Sequence, residues 1–237
     1  GIREVGSEHQ PDLAFEVILH VGTLVSVLIF FWPSLWSLVQ SLYTREMLEE
    51  RKKIMWLAIA TVPAVIAALL FKDFFDAVPG NPFLVSGLLM VTGLILFVPR
   101  LVKGRAEKVG LKSSVIMGIG QAFAILPGVS RSGSTIAAGL VSGVKAERAA
   151  EFSFLMSIPA IAGGFVLTME DRIEQTGSFG EALKSCFNVP YVAGAVAAAV
   201  VGLLAIYLVM GAVKRGKLEY FSYYCFAAGI AGMIYFS

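Results

Sequence analysis

The sequence predicts an all-α polytopic membrane protein built as an inverted repeat. Each unit is a re-entrant helix hairpin plus three transmembrane helices, and the first hairpin is absent from the chain shown. Three observations carry this reading. Of the 237 residues 57% are hydrophobic and only 15% charged, with a mean hydropathy of +0.78, whereas soluble domains carry about 25% charged residues. Six apolar segments are long enough to span a hydrocarbon core of about 30 Å. One polar, glycine-bearing loop interrupts a further apolar stretch whose two arms are each too short to cross.

The six segments are Leu13–Trp32, Ile54–Phe71, Phe83–Val98, Phe152–Met169, Val189–Val213 and Tyr220–Phe236. The third and sixth are the shortest. The stretch Ser114–Val144 is divided by Pro127-Gly128 into arms of about a dozen residues or fewer, each about 18 Å long if helical. It reads either as a re-entrant helix–loop–helix or as one kinked span, and the distribution of charge separates the two. In the re-entrant arrangement the loops 33–53, 99–114, 145–151 and 214–219 share one side and hold 4, 5, 2 and 3 Lys/Arg. The opposite side, formed by 1–12, 72–82, 170–188 and the C-terminus, holds 1, 1, 2 and 0. So strong an asymmetry is the positive-inside pattern, and a kinked span would blur it. Both termini are then expected outside.

Ala14–Thr23 aligns weakly with Glu151–Ala160 at an offset of 137 residues, and three spans follow each. An odd number of spans inverts the second unit relative to the first, the plan that places sites at mid-membrane between repeats. The chain is therefore expected to be a single integral membrane domain. Residues 1–110 are the remainder of the first repeat, and 111–237 are the second repeat with its hairpin at 114–144. Subtracting the offset from Ser130 gives a position before residue 1, so residues 1–12 read as the polar connection after an absent partner hairpin.

The interrupting loop is Pro127-Gly128-Val129-Ser130-Arg131-Ser132-Gly133-Ser134-Thr135, flanked by uncharged Ile116–Leu126 and Ile136–Val144. Irregular backbone and an arginine at membrane depth require shielding by protein or access to water, and mark a functional site. Arg131 can clamp an anion bidentately. Ser130, Ser132, Ser134 and Thr135 supply hydroxyls, while Gly128 and Gly133 let backbone N–H groups approach a ligand. The helix that begins after the loop adds its N-terminal dipole. The ligand this chemistry suits is a phosphate. Helix N-capping is the alternative role for the hydroxyls, and a serine nucleophile here has no base nearby in sequence.

With PGVSRSGST, EFSFLMSIP at 151–159 and FEVILHVGT at 15–23, the chain resembles the bacterial undecaprenyl-diphosphate phosphatase family of the bacitracin-resistance type over essentially its whole length. The resemblance implies hydrolysis of a C55 isoprenoid diphosphate to the monophosphate and inorganic phosphate, recycling the cell-wall lipid carrier. It also implies a multi-pass protein of the bacterial inner membrane whose active site opens to the outer face, and a divalent cation cofactor, Mg2+ or Ca2+. The family's glutamate-rich first motif, with its Ser or His nucleophile or base and its metal-binding glutamates, is not found in the chain shown. No metal ligand is therefore identifiable, and omission of that part from the chain shown is the favoured reading.

Under this resemblance Arg131 clamps phosphate, and Ser130, Glu16 and His20 join it as catalytic candidates. Glu16 lies about a turn into a span, where a carboxylate needs a partner, or else pairs with Arg3 at the interface. His20, four residues on, shares its helical face and either orients a base or makes a structural hydrogen bond. Gly128, Ser132, Gly133, Thr135 and Gln121 are substrate-binding candidates, with interhelical packing as the alternative for Gln121. His9 has no expected role. Arg148 and Glu151 read as a charge pair at a helix start, Gly163-Gly164 and Ala193–Ala199 as close helix packing, and Cys186 and Cys225 as packing residues.

The expected partners are the isoprenoid diphosphate and the bilayer, with a homodimer as one assembly. The net charge of +2 gives no general attraction to nucleic acid. The alternatives are a transporter or flippase of a lipid phosphate, which moves phosphate without releasing it, and a catalytically inactive fragment that binds the lipid but does not hydrolyse it.

Overall fold

The structure is a computed structural model and describes residues 13–44, 46–102, 104–180 and 189–237. Among these the ordered elements are helical: α1 (Leu13–Phe30), α2 (Trp32–Tyr43), α3 (Leu48–Leu70), α4 (Lys72–Ala77), α5 (Pro82–Leu101), α6 (Leu111–Phe123), α7 (Arg131–Val141), α8 (Ala146–Thr176), α9 (Val189–Lys214) and α10 (Glu219–Tyr235). Four of them, α3, α5, α8 and α9, are long and apolar enough to cross a membrane, and the broken pair α1–α2 makes a fifth if it counts as one span. The sixth segment of the sequence reading is α10. It has 17 residues, about 25 Å of helix. Residues 1–12, with His9, and Cys186 lie outside the described residues.

The chain gathers into two compact units, one from Gly1–Phe30 with Ile158–Ala205 and one from Phe31–Ser157 with Ile206–Ser237. In the first, small residues let α1 and α9 approach closely. Gly22 lies against the Ala195 carbonyl and Gly202 against the Ser26 side chain. The Ser26 hydroxyl donates to Ala199 O at 2.7 Å, and the rings of Phe15 and Tyr191 sit 5.3 Å apart. Without a hydrophobic drive between helices in lipid, such backbone approach and hydrogen bonding hold helices together. Met169 anchors α8 here beside Ile18, Phe165 and Ile173.

The second unit is built around the hairpin α6–α7. Its arms run antiparallel. A Cβ on Gly120 would lie 3.1 Å from Ala138 Cβ, and one on Gly139 would lie 3.2 Å from Met117 Sδ. The outer ends are tied together by backbone bonds: Arg105 and Ala106 N–H donate to Gly143 O, both at 2.9 Å, and Lys145 N–H donates to Ala106 O at 2.9 Å. One kinked span would hold these ends a membrane's width apart, so the stretch is a hairpin. Ala60, Met117, Phe152 and Met156 form the buried core beneath it. On the other side of the unit α10 lies along α5, with Gly229 close to Met90 and Ser86 and with Ser222 Oγ donating to Gly93 O at 2.5 Å.

Three of the loops counted on one side of the membrane converge at the hairpin's outer ends. Glu151, its side chain only 13% exposed, binds Lys53 Nζ at 2.6 Å and Arg148 at 3.2 Å, and accepts from Ser34 Oγ at 2.8 Å. Glu49 pairs with Lys108 at 2.9 Å, and Glu107 pairs with Lys145 at 3.1 Å and Arg148 at 3.4 Å. The exposed Glu107 carboxyl is held below the ordinary carboxylate range, first by the Lys145 hydrogen bond, and Lys145 is raised in turn. Glu151 and Arg148 are thus more than a local pair at a helix start, because they link α2, α3 and α8.

Several sequence boundaries need correction. Residues 33–53 are not a loop, since α2 occupies Trp32–Tyr43 and α3 already begins at Leu48. Pro33 lies in the first turn of α2, where its missing N–H costs nothing, and it bars continuation of α1. The α3 start carries Glu49 and Glu50 in its first turn, where acids complement the helix dipole, so the helix outruns its apolar part. Likewise α8 extends from Ala146 to Thr176, and Gly177 closes it with φ +75°. Gly163-Gly164 is not a close packing site, because a Cβ on either would meet nothing within 4 Å.

Candidate functional site

The loop Ala124–Ser130 joins the two arms and rests on one stripe of α5, where Val85, Leu88, Leu89, Thr92 and Leu96 recur at helical spacing. Gly128 has φ +91°, and a Cβ there would lie 2.6 Å from Val85 O and 3.2 Å from Leu88 Cβ. Only glycine meets both demands, a left-handed backbone and contact with a helix carbonyl. A Cβ on Gly133 would lie 3.0 Å from Leu96 and from the Ser130 side chain. The loop and the first turn of α7 therefore lie against α5 because Gly128 and Gly133 leave room there.

Ser130 is the N-cap of α7. Its backbone is extended, at φ −69° and ψ 117°, and its Oγ accepts from Gly133 N–H at 3.1 Å. Ser130 O accepts from Ser134 N–H at 2.9 Å. The N–H groups of Arg131 and Ser132 make no hydrogen bond among the described residues, and no acid occupies the first turn. Two donors and the positive end of the dipole are thus left for an anion.

The half-buried Arg131 forms no ion pair or hydrogen bond through its guanidinium among the described residues. Ser132 is half-buried in the same turn. Together these groups make a candidate anion cradle, of the chemistry that suits a phosphate.

The other candidates divide. Thr135 is fully buried, and its hydroxyl bonds Arg131 O at 2.8 Å and Ser153 Oγ at 2.6 Å. Its direct partners are thus the first turn of α7 and helix α8. Gln121 is 3% exposed and Ser134 5% exposed, and neither the Gln121 amide atoms nor Ser134 Oγ have a partner in the described structure. Two buried polar side chains without partners are unusual, and they lie one on each arm of the hairpin. His20 is exposed on α1 and belongs to the first unit, whereas the cradle belongs to the second. The side chain of Glu16 lies outside the described residues.

Sequence reasoning missed Thr92. It is 2% exposed, donates to Gly128 O at 2.7 Å and accepts from Ser130 N–H at 2.9 Å. A lone threonine in an apolar span was the available signal, since polar side chains in spans turn inward to a partner. Ser153 was also missed, although it stands within the quoted EFSF.

The model of one family, Bacitracin resistance protein BacA, matches residues 2–231. The chain belongs to the BacA family. Three similar curated proteins are each named undecaprenyl-diphosphatase. That of Rhodopirellula baltica is 38% identical over 224 residues, covering 92% of this chain and 81% of the relative. That of Syntrophotalea carbinolica is 40% identical over 226 residues, covering 93% and 82%. That of Bacteroides thetaiotaomicron is 35% identical over 231 residues, covering 97% and 86%. The resemblance drawn from PGVSRSGST and EFSF therefore holds over nearly the whole chain, and the BacA family member described here is a multi-pass, all-α membrane protein.

The divalent cation expected from the resemblance needs oxygen ligands, carboxylates above all. No three His, Cys, Asp or Glu residues gather among the described residues, and the cradle offers N–H donors, hydroxyls and a guanidinium. Those groups suit an anion and do not fit a cation.

Proposed function

We propose that this protein is an undecaprenyl-diphosphatase that hydrolyses a C55 isoprenoid diphosphate to the monophosphate and inorganic phosphate. The observation that carries the reading is Arg131, a guanidinium without a carboxylate partner among the described residues at a capped helix N-terminus, in a chain whose relatives bear that name. The isoprenoid stays in the bilayer and the diphosphate enters the cradle. Arg131 grips the terminal phosphoryl group, and the N–H groups of Arg131 and Ser132 bind its oxygens. Water supplies the oxygen that bonds to the terminal phosphorus as the bridging P–O bond breaks. Charge then spreads over the phosphoryl oxygens, and fixed donors stabilise it without reorganising. Ser130 serves as the cap that orders these donors, and Ser132 adds a hydroxyl.

The same reading extends to points argued from sequence. The end bearing the Glu151 ion pairs faces the cytoplasm of a bacterial inner membrane, and the cradle opens to the outer side. Glu16 and His20 contribute to turnover, and Mg2+ or Ca2+ supports it through groups beyond those described. A homodimer is the proposed assembly, read by mass in detergent.

The test is phosphate release from C55 isoprenoid diphosphate in detergent, with Mg2+ or Ca2+ and after chelation. The unaltered protein should release phosphate, and Arg131→Ala should lower kcat by about 10²–10³-fold, the usual cost of one transition-state donor. A protein that binds the lipid and releases no phosphate would overturn the reading in favour of a carrier.

A further inference from the structure

We infer that Thr92 is the positioning residue of the phosphate cradle: its one hydroxyl holds the loop at both Gly128 and Ser130 and so fixes where Arg131 stands. The inference rests on the phosphatase reading and deepens it. Thr92 lies midway along α5, within the loop-facing stripe formed with Val85, Leu88, Leu89 and Leu96, and it is the stripe's one polar member. Its hydroxyl acts in both directions, donating to Gly128 O at 2.7 Å and accepting from Ser130 N–H at 2.9 Å. These two backbone groups flank Val129, itself buried, so the hydroxyl pins both ends of the loop's last turn.

The consequence for the cradle follows along the chain. Ser130 is at once the residue tethered by Thr92 and the cap of α7. Its N–H is held from α5, while its Oγ and O receive Gly133 and Ser134 N–H. With both sides of Ser130 fixed, the free N–H groups of Arg131 and Ser132 and the guanidinium branch have a defined origin. Thr92 is buried, so removing the hydroxyl leaves Gly128 O and Ser130 N–H to find other partners by moving the loop. Thr92 does not reach the reacting atoms, and its action is through Ser130 and Arg131.

A buried hydroxyl on the neighbouring helix α10 provides the control. Ser222 Oγ donates to Gly93 O at 2.5 Å. Gly93 is the next residue along α5, but this bond ties α10 to α5 without touching the loop. Ser222→Ala thus removes a buried hydrogen bond of comparable surroundings and spares the cradle.

The experiment compares unaltered protein, Thr92→Val, Thr92→Ser and Ser222→Ala in the C55 diphosphate assay, with thermal unfolding of each in the same detergent. Thr92→Val, nearly isosteric, should lower kcat about 10²-fold, the scale of an ångström's misplacement, with a smaller change in KM. Thr92→Ser should restore kcat to within a few-fold, because it keeps the hydroxyl. Ser222→Ala should lower the unfolding temperature while leaving kcat unchanged. Equal kcat in Thr92→Val and the unaltered protein overturns the inference. So does a loss in Thr92→Val that Thr92→Ser does not restore, or that Ser222→Ala matches. If the unaltered protein itself releases no phosphate, it is the phosphatase reading that fails, and the comparison distinguishes the two failures.

Discussion

At the scale of single residues, the described cradle depends on groups that are either fully occupied or pointedly free. Ser130 belongs to the first kind, since its backbone N–H, backbone O and Oγ are all engaged. Replacing it separates capping from nucleophilic attack. Asn is as good an N-cap as Ser but has no hydroxyl to attack phosphorus. Ser130→Asn is expected to keep stability and to retain phosphate release within about tenfold. Ser130→Ala should cost about 1 kcal/mol of stability and lower activity through a loosened first turn. Total loss in Ser130→Asn with normal folding would instead assign the hydroxyl to the chemistry. Gly128 is similarly restricted. Gly128→Ala puts a Cβ 2.6 Å from Val85 O at φ +91°, adding about 1–2 kcal/mol of left-handed strain to the clash, and should displace the loop in the same sense as loss of Thr92. Much of this was legible from residue types: an arginine, hydroxyls and two glycines amid apolar sequence specify an anion loop. For Thr92 the sequence offers only the mark of a lone threonine in an apolar span, because its partners are backbone atoms 36 and 38 residues away and no local pattern names them.

At the scale of elements, charge holds the outer ends of the hairpin and the starts of α3 and α8. The pairs differ in depth, and their worth should differ accordingly. Glu151 has a side chain 13% exposed, while Glu107 is 58% exposed. Removing one partner from a shielded pair strands the other's charge, so Glu151→Ala should cost about 2–3 kcal/mol, short of the 3–5 of a fully buried pair. Glu151→Gln, which can still accept from Ser34, should cost less. Glu107→Gln should change stability little, because solvent-exposed pairs are screened. Reversible unfolding in mixed micelles ranks the three, and a Glu107 effect as large as that of Glu151 would contradict the argument. The sign with pH follows from the same pairs. The carboxyl of Glu107 is lowered, so its contribution is present above its unfolded titration and is lost as pH falls through the folded one. Lys145 is raised, so its contribution is present below its unfolded titration and is lost as pH rises through the folded one. The helices themselves were foreseen where apolar runs were long. Their ends were misjudged wherever charged residues extend a helix by pairing across elements, as at Glu49 and Glu151, or where Pro33 restarts one, because hydropathy registers burial in lipid and not a partner's carboxylate.

At the scale of the whole molecule, the charge asymmetry and the hairpin are one argument. A hairpin returns the chain to the side from which it left, so loops 99–114 and 145–151 must share that side. The backbone bonds of Arg105 and Ala106 to Gly143, and the Lys145–Glu107 pair, bring them together. The helix α5 lies between Asn81 and this cluster, and its 20 residues rise about 30 Å, enough to place Asn81 on the opposite side. Single cysteines at Lys108, Lys145 and Asn81, in a background with Cys186 and Cys225 changed to alanine, turn this into a measurement with a membrane-impermeant thiol reagent on oriented vesicles. Positions 108 and 145 should label from the same face, the cytoplasmic one under the positive-inside pattern, and position 81 from the other. Labelling of 108 and 145 from opposite faces would require α6 and α7 to cross as one span, which their bonded outer ends forbid. Labelling of all three as expected, but with 108 and 145 facing outward, would leave the hairpin intact and invert the membrane orientation. In that case the cradle would open toward the cytoplasm, and lipid diphosphate presented from the outer face alone would not be hydrolysed.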